Sequence, residues 1–136
     1  MSAKQVGYVV LMVPSRAGAA ATILGALAEA GVDLLAFTGF PASGGKAQVD
    51  LVSDDLPRVR RVAKQQGWKI SRERRGFVIQ GKDQVGAVHR QLRKLERARI
   101  NVTAADAVSA GGGRFGMILW VKPKDQARAA RALAAR

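Results

Sequence analysis

Two glycine-containing loops carry residue types that could bind a small ligand. Gly18 and Gly86 each follow an apolar run and precede a segment with helical spacing. A glycine at such a point lets the backbone turn sharply and approach a ligand, and the first amides of the following helix donate hydrogen bonds to a carboxylate. Asp33 and Asn101 stand where a second strand should begin, and each could bind an ammonium group of the same ligand. The alternative stays open that the glycines only serve turns and the two polar side chains bond local backbone.

The composition restricts catalytic and metal sites. The chain of 136 residues has no cysteine and a single histidine, His89. Disulfides, thiolate metal sites, Cys/His zinc sites and Cys–His dyads are therefore excluded. No nucleophile, base and orienting group come together in the sequence. We expect a protein without catalytic activity, and we predict neither a cofactor nor a bound metal.

The elements that must position these loops follow a regular order. In the first half, apolar runs and alternating residues predict strands, while apolar residues three and four apart predict helices. Asp54 or Asp55 can cap the second helix, and Gly67 ends it. The predicted strands span 6–13, 34–40, 47–52 and 68–74, and the predicted helices span 19–30 and 56–66. This order is the split βαβ pattern of a ferredoxin-like sandwich.

The second half repeats the first. A shift of 68 positions places the two halves on each other without a gap, so that Gly18 falls on Gly86 and Asp33 on Asn101. A repeat of constant offset indicates tandem modules. We therefore predict an α/β protein, more closely an α+β sandwich, of two ferredoxin-like βαββαβ modules over residues 1–74 and 75–136. The second module should lack its last strand, because the sequence ends after a helix over 126–134.

The absent strand has a consequence for assembly. In this topology the last strand pairs with the first, so the run from Phe77 to Gln80 should be an exposed apolar edge. A second copy of the chain, or the predicted strand 68–74, could cover that edge. We therefore expect at least a homodimer.

Four short stretches resemble the ACT domain, here in tandem. They are the pattern Val13-Pro14-Ser15-Arg16-Ala17-Gly18, the helix end Leu27 to Asp33, and a weaker echo at 81–86 and 100–102. In that family, small βαββαβ modules associate, and many bind an amino acid or a similar ligand at the interface between modules. The resemblance implies an amino-acid-binding regulatory or sensor protein.

The resemblance also assigns candidate ligand-binding residues in each copy. Asp33 departs from the asparagine common in the family, and a ligand with an amino group near Asp33 is favoured. The candidates are Arg16, Ala17, Gly18, Asp33 and Leu34 in the first copy and Asp83, Val85, Gly86, Asn101 and Val102 in the second.

Positive charge gives a rival function. The formal net charge is +13, and residues 56–99 alone have fourteen Lys and Arg against three Asp and Glu. The segment Arg114 to Trp120 partly matches the third strand of RNA-recognition modules, where Phe115 and Phe77 could stack on bases, although Met117 replaces a second aromatic. An RNA- or DNA-binding module is therefore the alternative function. The same charge could dock an acidic protein or form solvated helix faces.

Neither a signal peptide nor a membrane span is expected. The N-terminus lacks an apolar segment, and the uncharged run from Ala17 to Ala28 is far shorter than the roughly 18 apolar residues of a spanning helix. The sequence predicts a soluble cytoplasmic protein without a membrane partner.

Overall fold

The computed structural model describes residues 2–136, which form a mixed α/β fold of ferredoxin-like βαββαβ modules in tandem, as predicted. The strands are β1 (Ser2–Pro14), β2 (Ala36–Pro41), β3 (Lys46–Val52), β4 (Arg74–Lys82), β5 (Val102–Gly111) and β6 (Arg114–Val121). The helices are α1 (Ala19–Glu29), α2 (Leu56–Gln66), α3 (Ala87–Arg97) and α4 (Gln126–Leu133), and a 3-10 turn over Pro123–Asp125 leads into α4. The chain forms two compact units: Gly7–Arg74, and Arg75–Arg136 together with residues 2–6.

In the first unit, three antiparallel strands carry helices on one face. The strand order is β2-β3-β1, with Tyr8 opposite Val52 and Val13 opposite Ala47. Every second residue of β1 and β3 faces the helices and packs against apolar residues of α1 and α2. Together these residues form a single core. The most buried members of this core are Val9, Leu27, Val49, Leu51 and Val59.

Local capping chemistry sets the bounds of α2. The side chain of Asp55 accepts a hydrogen bond from the Arg58 amide at 3.2 Å, and Pro57 lies in the first turn, where its missing N–H costs nothing. Gly67 ends the helix in the left-handed conformation with φ 75°. The predicted cap and stop residues therefore both act as expected.

The predicted fourth strand over 68–74 is wrong. Only Ile70 bridges to Leu11 there, and the regular strand begins at Arg74. The hydroxyl of Ser71 accepts a hydrogen bond from the Val10 amide at 2.8 Å, while the Ser71 amide donates to the Val10 carbonyl at 2.9 Å. The Ser71 hydroxyl thus accepts the hydrogen bond that a backbone carbonyl would accept in a regular strand. This interrupts the hydrogen-bond ladder with β1.

The second unit closes its sheet with the other end of the chain. Its strand order is residues 2–6 of β1, then β4, β6 and β5, with Phe77 opposite Leu119. The Gln5 amide donates to the Arg136 carbonyl at 3.0 Å, and the Arg136 amide donates to the Ala3 carbonyl at 3.1 Å. Its core is formed mainly by Phe77, Ile79, Leu95, Leu119, Ala129 and Leu133.

The prediction of an exposed edge at 77–80 is therefore wrong. Within residues 2–136 no strand follows α4, as predicted, but residues 2–6 lie beside β4 where that strand would be. Phe77 and Ile79 are 0% exposed. The edge strands are instead β2 and β5. None of the helices within 2–136 is long and apolar enough to cross a membrane.

Candidate functional site

An open cleft of about 310 Å³ lies in the first unit beside the loop between β1 and α1. One wall is Arg16 with the first helical residues, Ala19 and Ala20, and the opposite wall comes from the edge strand β2. From β2, Phe37 and Phe40 line the cleft and are 38% and 45% exposed. The cleft thus combines a helix start and a cation with an aromatic wall.

The backbone of this loop is shaped around Gly18. Its φ is 86°, a left-handed conformation that side chains other than glycine rarely adopt. The Ser15 amide donates to the Gly45 carbonyl at 2.9 Å, which ties the loop to the turn between β2 and β3. No side chain within 2–136 caps α1. The Ala19 amide donates to the Arg16 carbonyl at 3.3 Å, so the later amides of the first turn are the ones that could donate to an anion.

The second unit has a cleft of about 240 Å³ at the corresponding place. The shift of 68 positions carries lining residues onto lining residues: Ala19 onto Ala87, Phe40 onto Val108, and Ala47 onto Phe115. Gly86 takes the place of Gly18 with φ 82°. The repeat therefore builds the same cleft twice.

The two clefts differ in charge. Where the first cleft has Ser15 and Arg16, the second has Asp83 and Gln84. The hydroxyl of Ser109 donates a 2.5 Å hydrogen bond to the Asp83 carboxylate, and His89 also lines this cleft. A ligand carboxylate is consequently favoured in the first cleft and opposed by Asp83 in the second.

The predicted site residues fall into two groups in each unit. Arg16 lines the first cleft, and Ala17 and Gly18 complete its loop. In the second unit, Asp83 and Gly86 line the cleft, while Val85 is 99% exposed at the loop tip.

The other predicted residues lie near the starts of β2 and β5. Asp33 is exposed, and its backbone carbonyl accepts a hydrogen bond from the Ser53 hydroxyl at 3.1 Å. Asn101 is likewise exposed, directly before β5. Leu34 packs against the first core and Val102 against the second.

Within one unit, the structure does not bring these two groups together. At one end of the first sheet Ala36 lies opposite Val52, and at the other end Pro41 lies opposite Ala47. Asp33 precedes the first end, whereas Gly18 follows the second. Five strand residues at about 3.3 Å each separate the ends by about 17 Å. Asn101 and Gly86 are separated in the same way in the second unit.

Sequence reasoning missed the aromatic wall. Phe37 and Phe40 belong to the apolar run 34–40, and an apolar run is equally typical of a buried strand. Only the strand order reveals that β2 lies at an edge. One sequence signal was available: the turn cluster that follows Phe40 ends the strand, and in the structure this turn lies beside the loop of Gly18.

The sheet aromatics proposed for base stacking are not available. Phe77 is 0% exposed, and Phe115 and Met117 are each 4% exposed, because the strand register turns all three toward the helices. An RNA-recognition surface requires aromatics on the open face of the sheet. That part of the alternative function is wrong.

Comparisons with known proteins add to this geometry. No protein-family model matches the sequence, and no curated protein matches it. Among solved structures, the regulatory subunit of aspartate kinase from Thermus thermophilus, in a ligand-free form, matches with a TM-score of 0.64 and 17% identity, over 98% of this chain and 95% of that one. The chain has an ACT-like fold.

Other solved structures agree with this ACT-like fold. Protein BT0572 from Bacteroides thetaiotaomicron matches with a TM-score of 0.76 and 12% identity, over 95% of this chain and 88% of that one. A putative C-terminal regulatory domain of aspartate kinase from Porphyromonas gingivalis matches with a TM-score of 0.54 and 16% identity, over 98% and 92%. At these identities the likeness is one of fold, and the aspartate kinase chains named here are regulatory.

Proposed function

We propose that this protein is a non-catalytic regulatory protein that binds an amino acid and transmits its presence to a partner. The observation that supports this most is the pair of clefts at equivalent positions, each beside a left-handed glycine that opens a helix. Neighbours of the same fold include regulatory subunits of aspartate kinase, and one neighbouring aspartate kinase is an allosteric enzyme.

The first cleft is the proposed ligand site. The ligand carboxylate accepts hydrogen bonds from the opening amides of α1 and pairs with Arg16. Its apolar portion packs on Phe37 and Phe40. Asp83 makes the second cleft a poorer site for the same carboxylate.

A second copy of the chain completes the proposed site. The outer edge of β2 has no neighbouring strand in the described chain, and edge strands readily pair with another chain. Antiparallel pairing of two β2 strands about a two-fold axis would place the start of one strand beside the end of the other. Asp33 of one copy would then reach the cleft of the other and bind the ligand ammonium. The unpaired edge of β2 therefore supports a homodimer, and this argument does not depend on residues 77–80.

A thermal-shift screen of the twenty amino acids tests the ligand. At 100 times its dissociation constant a ligand stabilises the folded state by about 2.7 kcal/mol, which raises the Tm by several degrees. Arg16→Gln should weaken the active amino acid at least tenfold. Arg60→Gln is the matched control, because Arg60 is exposed on α2 and does not line the cleft. The proposal fails if no amino acid at 10 mM shifts the wild-type Tm.

Light scattering tests the dimer. Wild type should be dimeric at micromolar concentration, and Phe40→Glu should be monomeric, since it places charge on the pairing edge. Met12→Glu is the control, because Met12 is also exposed and apolar, at 43%, but lies on the interior strand β1. A monodisperse wild-type monomer that still binds the amino acid would remove the edge-pairing model.

A further inference from the structure

The positive charge is concentrated in the second unit. Residues 75–136 have thirteen Lys and Arg against four Asp and Glu, and Lys4 adds one more, for a net charge of +10. Residues 7–74 have nine against six, for a net charge of +3. The excess therefore belongs to one unit and is not spread evenly over the chain.

Helix α3 presents arginines along its exposed side. Ala87, Gln91 and Leu95 are buried, and the three arginines at positions 90, 93 and 97 follow the opposite side at helical spacing. The Nη2 atom of Arg128 donates to the Ala98 carbonyl at 2.6 Å and ties α4 to the end of α3. We define the basic helical face as the exposed residues Arg90, Arg93, Arg97, Arg99 and Arg131.

Acidic residues do little to neutralise this face. Glu96 pairs with Arg93 at 3.5 Å, in a contact that is half-exposed or more on both sides and is therefore weak. Asp125 pairs with Arg128, which lies outside the face as defined. Neither α3 nor α4 contains another acidic residue.

Arg99 gives a second, independent observation. Its φ is 57°, a left-handed conformation that is unfavourable for a residue with a Cβ. The equivalent position in the first copy is Gly31, with φ 73°. Glycine would adopt this backbone conformation without strain, yet the position holds an arginine. Its side chain is exposed. Backbone stability alone does not favour arginine at this position, and the exposed side chain adds a cation at the end of α3.

The chemistry of the face selects the partner. The large apolar side chains exposed within 2–136 are Met12, Phe37, Phe40, Val85 and Val108, and none lies on α3 or α4. Protein interfaces need an apolar or aromatic centre, which this face lacks. Arginine forks match phosphate oxygens in geometry and charge. We propose that the basic helical face binds the phosphate backbone of a nucleic acid without reading its base sequence.

Salt dependence of binding tests this proposal. The probes are two fluorescent 20-base-pair DNA duplexes of unrelated sequence and one single-stranded RNA of 20 nucleotides, titrated between 50 and 200 mM KCl. Five phosphate contacts predict a slope of log K against log[KCl] of about −4.5 on duplex DNA. The two duplexes should bind within about twofold of each other, because phosphate contacts carry no sequence information. Comparison of the DNA and RNA arms identifies the preferred backbone.

Two matched triple variants locate the binding surface. Arg93→Gln with Arg97→Gln and Arg131→Gln should weaken binding at least tenfold at 100 mM KCl and make the slope shallower by about 2.7. Arg60→Gln with Arg61→Gln and Lys64→Gln removes the same charge from α2 and should change affinity less than threefold. Circular dichroism checks that both triples are folded, which is expected because all six residues are exposed.

Three results would overturn the proposal. They are an absence of binding below 50 μM at 100 mM KCl, an equal loss in both triples, and displacement of the probe by poly-glutamate as effective as that by unlabelled DNA of equal charge. The last result would indicate an acidic protein as the partner.

Arg99→Gly separates the side chain from the backbone. The variant relieves the left-handed strain, so its Tm should rise by a few degrees while its affinity for the duplex falls severalfold. Arg99→Lys keeps both the strain and the charge and should bind like wild type. Wild-type affinity in Arg99→Gly would remove Arg99 from the face.

Discussion

Tyr8 is the one tyrosine of the chain, and its surroundings disfavour ionisation. Burial raises the pKa of its hydroxyl, and the nearby carboxylate of Asp50 adds to this, while Arg74 partly offsets both through its charge and a hydrogen bond. Asp50 itself accepts hydrogen bonds from Thr38 at 3.2 Å and Gln48 at 3.0 Å. A single buried phenol in a polar network is thus a clean reporter of the first unit.

Titration of tyrosinate absorbance near 295 nm should therefore give a midpoint above the ordinary pKa of 10.0. Because the folded state keeps this proton longer than the unfolded state, the stabilisation is complete below pH 10 and is lost as the pH rises through the folded pKa. Tyr8→Phe should lose about 1 kcal/mol of unfolding free energy at neutral pH and show a smaller decline above pH 10. A midpoint at or below 10 would contradict the buried position of Tyr8.

Elements marked by a local residue pattern were predictable, and features that depend on a distant contact without such a pattern were not. The predicted first helix, 19–30, differs from α1 (Ala19–Glu29) by one residue, because helical spacing and the glycine at its start are local signals. The fourth strand failed at Ser71, whose hydroxyl bonds to Val10 sixty-one positions away. The sequence located both glycine loops of the candidate site. It did not reveal that Asp33 and Gly18 lie at opposite ends of a sheet, since that depends on strand direction.

Deletion of residues 2–6 tests the closure of the second sheet. Loss of these residues removes the neighbour of β4 and the backbone bonds to Arg136, and it uncovers the core around Ala3. Hydrogen exchange should accelerate at 77–82, and the protein should aggregate through the freed edge. Exchange at 8–13 should stay slow, because those residues pair with β3.

Ser2→Thr is the control for this deletion, since Ser2 is exposed and keeps the strand intact. Unchanged protection at 77–82 in the deletion variant would show that residues 2–6 do not contribute to the stability of the second unit.

At the scale of the whole molecule, charge repulsion opposes folding. A net charge of +13 favours the expanded state, and the second unit carries +10 of it. The ion pairs available in compensation, such as Arg58 with Asp55 at 3.3 Å, are exposed and contribute little. Added salt should therefore stabilise the folded state, because it screens the repulsion between positive charges more than it weakens these ion pairs.

The Tm should accordingly rise by a few degrees when NaCl increases from 10 to 300 mM, where the Debye length falls below about 8 Å. Calorimetry at fixed pH measures this effect. The triple variant on α3 and α4 described above should have a higher Tm than wild type at low salt and a smaller salt effect. A Tm that falls on addition of salt would show that attractive pairs dominate.

The path of β1 constrains how this protein can be made and inherited. Its first residues complete one compact unit and its remainder belongs to the other. During synthesis, residues 2–6 precede β4 and α4, the elements they complete, by more than sixty residues. The second sheet can therefore close only after β4 has been synthesised, and its bonds to Arg136 form later still. A recombination event or a protease cut at a single point between the units would leave one of them incomplete, so the two copies are retained or lost together.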